Sequence, residues 1–234
     1  ISKRKYLMKT IGLLCGTSWT SSIEYYKLLN QMANKHFGGF HSAKLIMLNI
    51  DYHSIKQHYP NGWDKIPALL KTELEKLDAL NPDCLLICNN TLHKGYDKIK
   101  DELQLNSPLF HMLEITALEA LKNKYKKLLL LGTKFTMEDD FFKNHLENHG
   151  AEVIVPTLKE RDEVQAFQTK LSRGLIEDSA REYFQDLLLK YKEVDAVVLG
   201  CTELPLVIKE DDISQKILDP LTLQCQKAFE FAIS

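Results

Sequence analysis

Four consecutive residues, Gly200-Cys201-Thr202-Glu203, combine side chains that can carry out chemistry. They follow an apolar run, residues 194–199, that has the length of a buried strand. If a helix begins here, its free N–H groups favour the Cys201 thiolate, which predicts a pKa lowered toward neutrality. Thr202 offers a hydroxyl and an N–H group to an anion, and Glu203 adds a carboxylate. The structural alternative is a small buried residue at a turn, followed by a threonine cap and an ordinary first-turn acid.

A second polar set, Asn89-Asn90-Thr91, follows another apolar run at residues 83–88. Its amides and hydroxyl are suited to hold a carboxylate. The alternative interpretation is a helix cap rich in asparagine. Of the histidines, only His93 is expected beside these residues, and their spacing along the chain does not predict a metal site.

Three further positions follow predicted strands and carry polar side chains. Thr17 and Ser18 come after Gly16, and Thr133 and Thr136 come after Gly132, so each pair can bind an anion or cap a helix. Asp51 follows a third strand and is either a ligand-binding residue or a turn former. The chain has neither G-x-G-x-x-G nor the lysine of a Walker loop, which argues against nucleotide binding.

The elements that must position these residues alternate along the chain. Apolar runs of strand length are separated by stretches of helical period, which predicts an α/β protein with mostly parallel sheets flanked by helices. Strands are predicted at residues 10–15, 44–50, 83–88, 109–112, 127–131, 152–155, 195–199 and 217–219. Helices are predicted at residues 21–35, 66–79, 91–103, 115–124, 137–149, 178–190 and 221–232.

The polar sets that follow predicted strands recur along the chain. The separation from Asn89 to Cys201 is nearly equal to that from Gly16 to Gly132. This repetition predicts two similar lobes with an active-site cleft between them. The first domain is expected to comprise residues 1–114 and 213–234, and the second residues 115–212.

Composition excludes several classes of function. The 30 basic and 32 acidic side chains give a formal charge of −2, without the basic stripe that nucleic-acid binding requires. No apolar run approaches the length of a membrane span. Five cysteines, an odd number without a Cys-x-x-Cys pair, predict a reduced cytoplasmic protein with thiols in its core.

Taken together, these residues resemble the aspartate/glutamate racemase family, specifically its broad amino-acid racemase branch. The resemblance implies two similar α/β domains, no pyridoxal phosphate or other cofactor, a homodimer, and inversion at the α-carbon of a small acidic amino acid or dicarboxylate. It is carried by Gly16-Thr17-Ser18-Trp19, Gly38-Gly39, Asn90-Thr91-Leu92-His93, Gly132-Thr133, Val155-Pro156 and Gly200-Cys201-Thr202-Glu203-Leu204.

The family's logic requires two acid/base residues, usually cysteines, on opposite faces of the substrate. Cys201 matches the second cysteine, but Asn89 stands at the position of the first. An amide does not usefully give or take a proton near neutral pH. Cys88 is one residue earlier and is expected to point to the opposite face of its strand. Thr17 also differs, because the branch often has methionine there.

The resulting expectation is a cofactor-independent racemase for aspartate- or glutamate-type substrates, with Cys201 as its one catalytic thiol and Asn89 on the opposite face. Its activity is expected to be slow, one-sided or altered. The rival is a non-catalytic binding protein for small dicarboxylates or amino acids, followed by a relative of arylmalonate decarboxylase or maleate isomerase. The substrate-binding residues are expected to be Thr17, Ser18, Asp51, Asn90, Thr91, Thr133, Thr136, Thr202 and Glu203.

Overall fold

The computed structural model describes residues 8–59 and 61–234, which fold into two compact units. The first unit contains the chain up to Met112 together with Gln224–Ser234, and the second is Leu113–Leu223. The sequence predicts a return to the first domain at residue 213, whereas the chain returns at Gln224. The predicted start of the first domain, residues 1–7, lies outside the described residues.

The first unit is built on a parallel three-stranded sheet in the order β2-β1-β3. Its central strand has apolar side chains on both faces, as expected of a strand covered by helices. The strands are β1 (Ile11–Cys15), β2 (Leu45–Asn49) and β3 (Cys84–Ile87). The helices are α1 (Trp19–Phe37), α2 (His53–Lys56), α3 (Ile66–Asp78) and α4 (Leu92–Asp97), with a 3₁₀ turn at Trp63–Lys65.

Helix α1 shows how the sequence sets an element's limits. Ser18 caps its N-terminus by accepting a hydrogen bond from the Ser21 N–H group at 3.4 Å. Gly38, with φ 72°, ends it in a conformation that favours glycine. Tyr25 and Leu29 lie one turn apart and are buried, so this face packs into the unit.

The second unit is built on a parallel four-stranded sheet in the order β5-β4-β6-β7. Strand β7 pairs with β6, which is why the chain stays in this unit beyond residue 213. The strands are β4 (Lys127–Leu131), β5 (Glu152–Ile154), β6 (Ala196–Leu199) and β7 (Lys216–Leu218). The α-helices are α5 (Met112–Lys122), α6 (Lys134–Glu138), α7 (Asp140–Asn148), α8 (Leu158–Leu171), α9 (Asp178–Lys190) and α10 (Pro220–Ile233), of which α10 continues into the first unit.

The predicted α/β class, with two lobes that each hold a parallel sheet flanked by helices, is confirmed. The predicted strand at 109–112 is wrong, because only Leu109 forms an isolated bridge, to Leu85. The predicted helix at 91–103 is α-helical only to Asp97, and the backbone continues as turns with mixed i to i+3 and i to i+4 hydrogen bonds. The substrate cleft expected between the lobes stays a prediction.

Two other helix predictions also need correction. The helix predicted at 137–149 is two helices, because Asp139 is extended and its carboxylate caps α7 by accepting from the Phe141 N–H group at 3.1 Å. Helix α8 was missed entirely, although Thr157 and Glu160 form a capping box at its start.

Among the described helices, none has both the length and the apolar composition needed to cross a membrane.

Candidate active site

Each sheet brings two of the predicted polar sets to one edge. In the first unit Leu14 is in register with Ile87, so the segments after β1 and β3 begin side by side. In the second unit Leu131 is in register with Leu199, so the segments after β4 and β6 also begin side by side. We call the residues that follow the strands of the first sheet the first-unit edge (Gly16–Ser18, Asp51 and Asn89–Thr91). Those that follow the strands of the second sheet are the second-unit edge (Thr133, Thr136 and Cys201–Glu203).

The second-unit edge contains a thiol paired with a carboxylate. The Cys201 thiol donates to Glu203 Oε2 at 2.9 Å, and the Thr202 hydroxyl donates to the same oxygen at 3.0 Å. Cys201 and Glu203 are each 7% exposed. Cys201 also belongs to the hydrophobic core of this unit, so its sulfur lies where the hydrophobic cluster meets this polar group. The pair can pass a proton from sulfur to oxygen.

The expected lowering of the Cys201 pKa is wrong. Burial, the nearby Glu203 charge and the hydrogen bond to Glu203 raise the pKa of this thiol well above its usual value. Residues 201–203 form a turn and are followed only by a short 3₁₀ helix, Leu204–Leu206, so the stabilising α-helix start does not exist. In this state Cys201 is a neutral thiol, and forming its thiolate requires a proton acceptor.

Thr136 and Thr133 have different surroundings at the second-unit edge. Thr133 caps α6 by accepting from the Thr136 N–H group at 3.2 Å, and the two hydroxyls lie 3.0 Å apart. Thr136 is 1% exposed, whereas Thr133 is only half-buried. A Cβ added at Gly132 or Gly200 would lie 3.0 Å from the Thr136 methyl group, so both glycines permit its close packing. Thr133 is therefore the more accessible of the two to a ligand.

At the first-unit edge, Asn89 acts as a cap. Its Nδ2 donates to the Thr17 carbonyl at 2.9 Å, and its Oδ1 accepts from the Leu92 N–H group at 2.9 Å. The capping alternative noted for this segment therefore describes Asn89 well. Because both ends of the amide bind the backbone, the side chain is held in place beside α4.

Thr17 and Ser18 are mainly engaged in local structure. Thr17 is 1% exposed and its hydroxyl donates to the Cys88 carbonyl at 3.1 Å, which ties the ends of β1 and β3 together. Ser18 is the cap of α1, and its hydroxyl lies 2.7 Å from that of Thr20. Gly16 has φ 84°, and an added Cβ would lie 2.2 Å from the Ile50 carbonyl oxygen. Only glycine fits there.

The remaining predicted residues differ in exposure. Asp51 is exposed and accepts from the His53 N–H group at 3.1 Å, as a turn former does. Asn90 is buried and Thr91 is half-buried. His93 is fully buried, and its Nε2 accepts from the Met112 N–H group at 3.1 Å, so its Nδ1–H donates to the Asn89 carbonyl at 2.8 Å. Both ring nitrogens thus hold the backbone beside Asn89.

Sequence reasoning missed two tyrosines at the first-unit edge. The Tyr52 and Tyr59 hydroxyls are hydrogen-bonded to each other, Tyr52 also bonds the Asn89 side chain, and Tyr59 bonds Thr91. Burial raises the pKa of Tyr52 to about 12 and also raises that of Tyr59. Tyr52 could have been predicted at this edge from the sequence, because it directly follows Asp51 after the end of β2.

Comparison with known proteins matches these features to one family. The family model described as Asp/Glu/Hydantoin racemase covers residues 14–228. Two solved structures align with 97% of this chain and 100% of their own. One is a putative Asp/Glu racemase from Yersinia pestis (TM-score 0.87, 33% identity), and the other an aspartate racemase homologue from Pyrococcus horikoshii (TM-score 0.86, 32% identity).

Curated relatives are more distant. The chain is 30% identical to a glutamate racemase from Aquifex pyrophilus over 54% of its own length and 48% of the relative's. It is 28% identical to the glutamate racemase of Fusobacterium nucleatum over 72% of its own length and 66% of the relative's. It is 26% identical to a broad specificity amino-acid racemase from Bacillus subtilis over 68% of its own length and 69% of the relative's. The chain thus spans from about half to two thirds of these relatives' lengths.

Two parallel α/β units with polar strand ends, one of them carrying a thiol and a carboxylate, define a class of two-lobed protein equipped for proton transfer. The family model covers most of the chain, so this protein belongs to the Asp/Glu/hydantoin racemase family. This membership supports an amino-acid racemase function, and confirms the resemblance inferred from the sequence.

Proposed function

We propose that this protein catalyses proton transfer at the α-carbon of a small acidic amino acid, with Cys201 as its catalytic thiol and without a cofactor. The observation that carries the proposal is the 2.9 Å hydrogen bond from the Cys201 thiol to Glu203. Family membership supports the substrate class. The homodimer and the cytoplasmic location predicted from the sequence stay predictions.

Glu203 supplies the proton acceptor that the raised pKa of Cys201 demands. Transfer of the thiol proton to the Glu203 carboxylate leaves a thiolate and a carboxylic acid. The thiolate then removes the α-proton of the substrate, becoming a thiol again, and the electrons of the broken C–H bond pass to the substrate carboxylate. Thr133 and Thr202 are the proposed donors to that carboxylate, since hydrogen bonds to the developing charge stabilise the transition state.

By resemblance to the family, position 89 belongs to the residue that returns a proton to the substrate, and Asn89 is unsuited to this step. Its amide does not titrate usefully, and both of its ends bind backbone groups. We therefore propose that exchange at the α-carbon is faster than inversion, and that a proton taken by Cys201 is mostly returned to the same face.

The test is α-proton exchange in heavy water with the L- and D-forms of aspartate and glutamate, followed by NMR and by chiral chromatography. Wild type is expected to incorporate deuterium into one enantiomer faster than it forms the other. Cys201→Ser is expected to abolish incorporation, while Cys225→Ser, which changes a buried thiol outside both edges, retains it. Absence of exchange with all four substrates would remove the catalytic claim.

A second candidate function is binding of the same ligands without turnover. It is favoured by the neutral state of Cys201 and by the capping role of Asn89. A ligand-dependent rise in Tm without any deuterium incorporation would select this function.

A further inference from the structure

Two cysteines outside the proposed proton-transfer step lie side by side in the first unit. Cys15 is the last residue of β1, and Cys88 directly follows β3. Their sulfur atoms are 3.9 Å apart, and the Cys88 N–H group donates to the Leu14 carbonyl at 3.1 Å. Neighbouring strands lie roughly 4.8 Å apart, which is within the Cα separation of about 4.4–6.8 Å that disulfides allow. The backbone therefore already has a spacing that a disulfide can bridge.

The surroundings favour one of the two sulfurs as the reactive one. Hydrogen bonding with Cys88, and to a lesser extent with Ser22, lowers the pKa of Cys15 although burial opposes this. Burial and the adjacent Cys15 raise the pKa of Cys88 well above its usual value. Of the two adjacent sulfurs, Cys15 thus ionises more readily than Cys88, which suits it to be the attacking cysteine and Cys88 to be the resolving one.

The other thiols of this unit are placed differently. Cys84 lies four residues before Cys88, so on an extended strand it is about 13 Å away along the chain. Cys225 on α10 is close enough to raise the pKa of Cys88, and it is the one competing partner. All four thiols of this unit are buried, with Cys15 0% and Cys88 1% exposed, so a small oxidant is required.

We propose that Cys15 and Cys88 form an oxidation site, which a peroxide converts reversibly into an intramolecular disulfide. The Cys15 thiolate attacks one oxygen of hydrogen peroxide, which gives a sulfenic acid and, after protonation, water. The Cys88 sulfur then attacks the sulfenic sulfur, the S–S bond forms, and a second water leaves with the thiol proton. Two thiols are oxidised and one peroxide is reduced, and an added dithiol reverses the reaction.

The disulfide would form next to the first-unit edge. The two sulfurs must approach from 3.9 Å to about 2.05 Å, so the Cys15 and Cys88 side chains must turn toward each other. The Cys88 carbonyl accepts the Thr17 hydroxyl, and the next residue is Asn89. The oxidation site is therefore connected to Asn89 through Thr17, whose carbonyl accepts from the Asn89 side chain.

The experiment treats the reduced, folded protein with hydrogen peroxide, blocks the remaining thiols with an alkylating agent in denaturant, and maps tryptic peptides by mass spectrometry. Peptide 10–27 contains Cys15, and peptide 77–94 contains both Cys84 and Cys88. We expect these two peptides to be linked, with loss of the mass of two hydrogen atoms, and to separate on reduction. The Cys84→Ser variant assigns the link to Cys88.

Serine variants of the four cysteines in this unit identify which cysteine forms the disulfide with Cys15. The link is expected in Cys84→Ser and Cys225→Ser and is lost in Cys15→Ser and Cys88→Ser. A link to peptide 217–227, which contains Cys225, would overturn the proposal. So would over-oxidation of single thiols, or no reaction under conditions that oxidise the urea-unfolded chain. Because mapping of the wild type alone gives one of these results, the proposal stays testable if a serine variant does not fold.

Discussion

At the scale of single residues, the central pair is Cys201 and Glu203, two positions apart and joined by a hydrogen bond. A buried thiol beside a carboxylate resists ionisation, yet the same carboxylate can accept its proton. In the proposed mechanism, Cys201 is therefore a neutral thiol that must lose its proton to Glu203 before it can act as a base. The proposal therefore requires Glu203 as much as Cys201.

Glu203→Gln is expected to lower α-proton exchange at least about tenfold near neutral pH, because a general base typically contributes ~10²-fold or more. The substitution also removes a charge that raises the pKa of Cys201, so the remaining activity should rise with pH from a lower starting pH than in wild type. The measurement is the exchange rate as a function of pH. Glu193→Gln, at an exposed position, is the matched control and should leave the profile unchanged.

A prediction about stability concerns the glycine that shapes the first-unit edge. Gly16→Ala is expected to be strongly destabilising, because its Cβ would meet the Ile50 carbonyl oxygen at 2.2 Å and its φ of 84° is unfavourable for alanine. Gly38→Ala shares the positive φ but meets nothing within 4 Å, so it should cost only about 1–2 kcal/mol. Urea unfolding of both variants measures the difference. Equal losses would show that the clash is relieved by backbone movement.

At the scale of elements, helices α8 and α9 are connected through one carboxylate. Glu160 accepts from the Thr157 N–H group and hydroxyl at 2.8 and 2.7 Å, from Tyr191 at 2.8 Å, and from Lys190. Burial opposes its ionisation, but these bonds prevail and lower the pKa of Glu160 from 4.5 to about 2. The ionised carboxylate therefore stabilises the start of α8 and the end of α9 together.

This network predicts a dependence of stability on acid. Because the folded-state pKa of Glu160 is depressed, its contribution is complete above pH 4.5 and is lost as the pH falls toward 2. Glu160→Gln is expected to lower the free energy of unfolding at pH 7 by about 1–3 kcal/mol and to flatten its decline between pH 4.5 and 2. The exposed Glu182→Gln on α9 makes the same charge change and should do neither. Equal pH profiles for wild type and Glu160→Gln would contradict the assignment.

The elements also show what the sequence could reveal. The polar sets at residues 16–18, 89–91 and 200–203 were predicted at strand ends because apolar runs precede them, and parallel strands bring such ends to one edge. Helix α8 was not predicted because only two of its described residues, Val164 and Leu171, are buried. Two buried residues are too few to give an apolar pattern with helical spacing. The pKa of Cys201 and the capping role of Asn89 depend on burial and on three-dimensional partners, which spacing along the chain does not contain.

At the scale of the whole molecule, each unit has a core of its own. Leu70 belongs to a buried cluster of the first unit, and Leu129 to one of the second. Leu70→Ala and Leu129→Ala are each expected to cost about 2–5 kcal/mol and to raise amide hydrogen exchange mainly within the mutated unit. Hydrogen exchange read by mass spectrometry tests this, with peptides of the other unit as the internal control. An equal increase in both units would show that they unfold as one body.

The path of the chain has a consequence for its synthesis. Residues of α10 complete the first unit, where Gln224 accepts the Tyr25 hydroxyl at 2.6 Å and donates to the Phe110 carbonyl at 2.7 Å. A ribosome releases residues 113–223 before it releases Gln224, so the unit begun second is the one that can finish first. Nascent residues 8–112 must wait, with Tyr25 lacking this partner, until translation reaches α10, and chaperones have their longest access to this half of the chain in that interval.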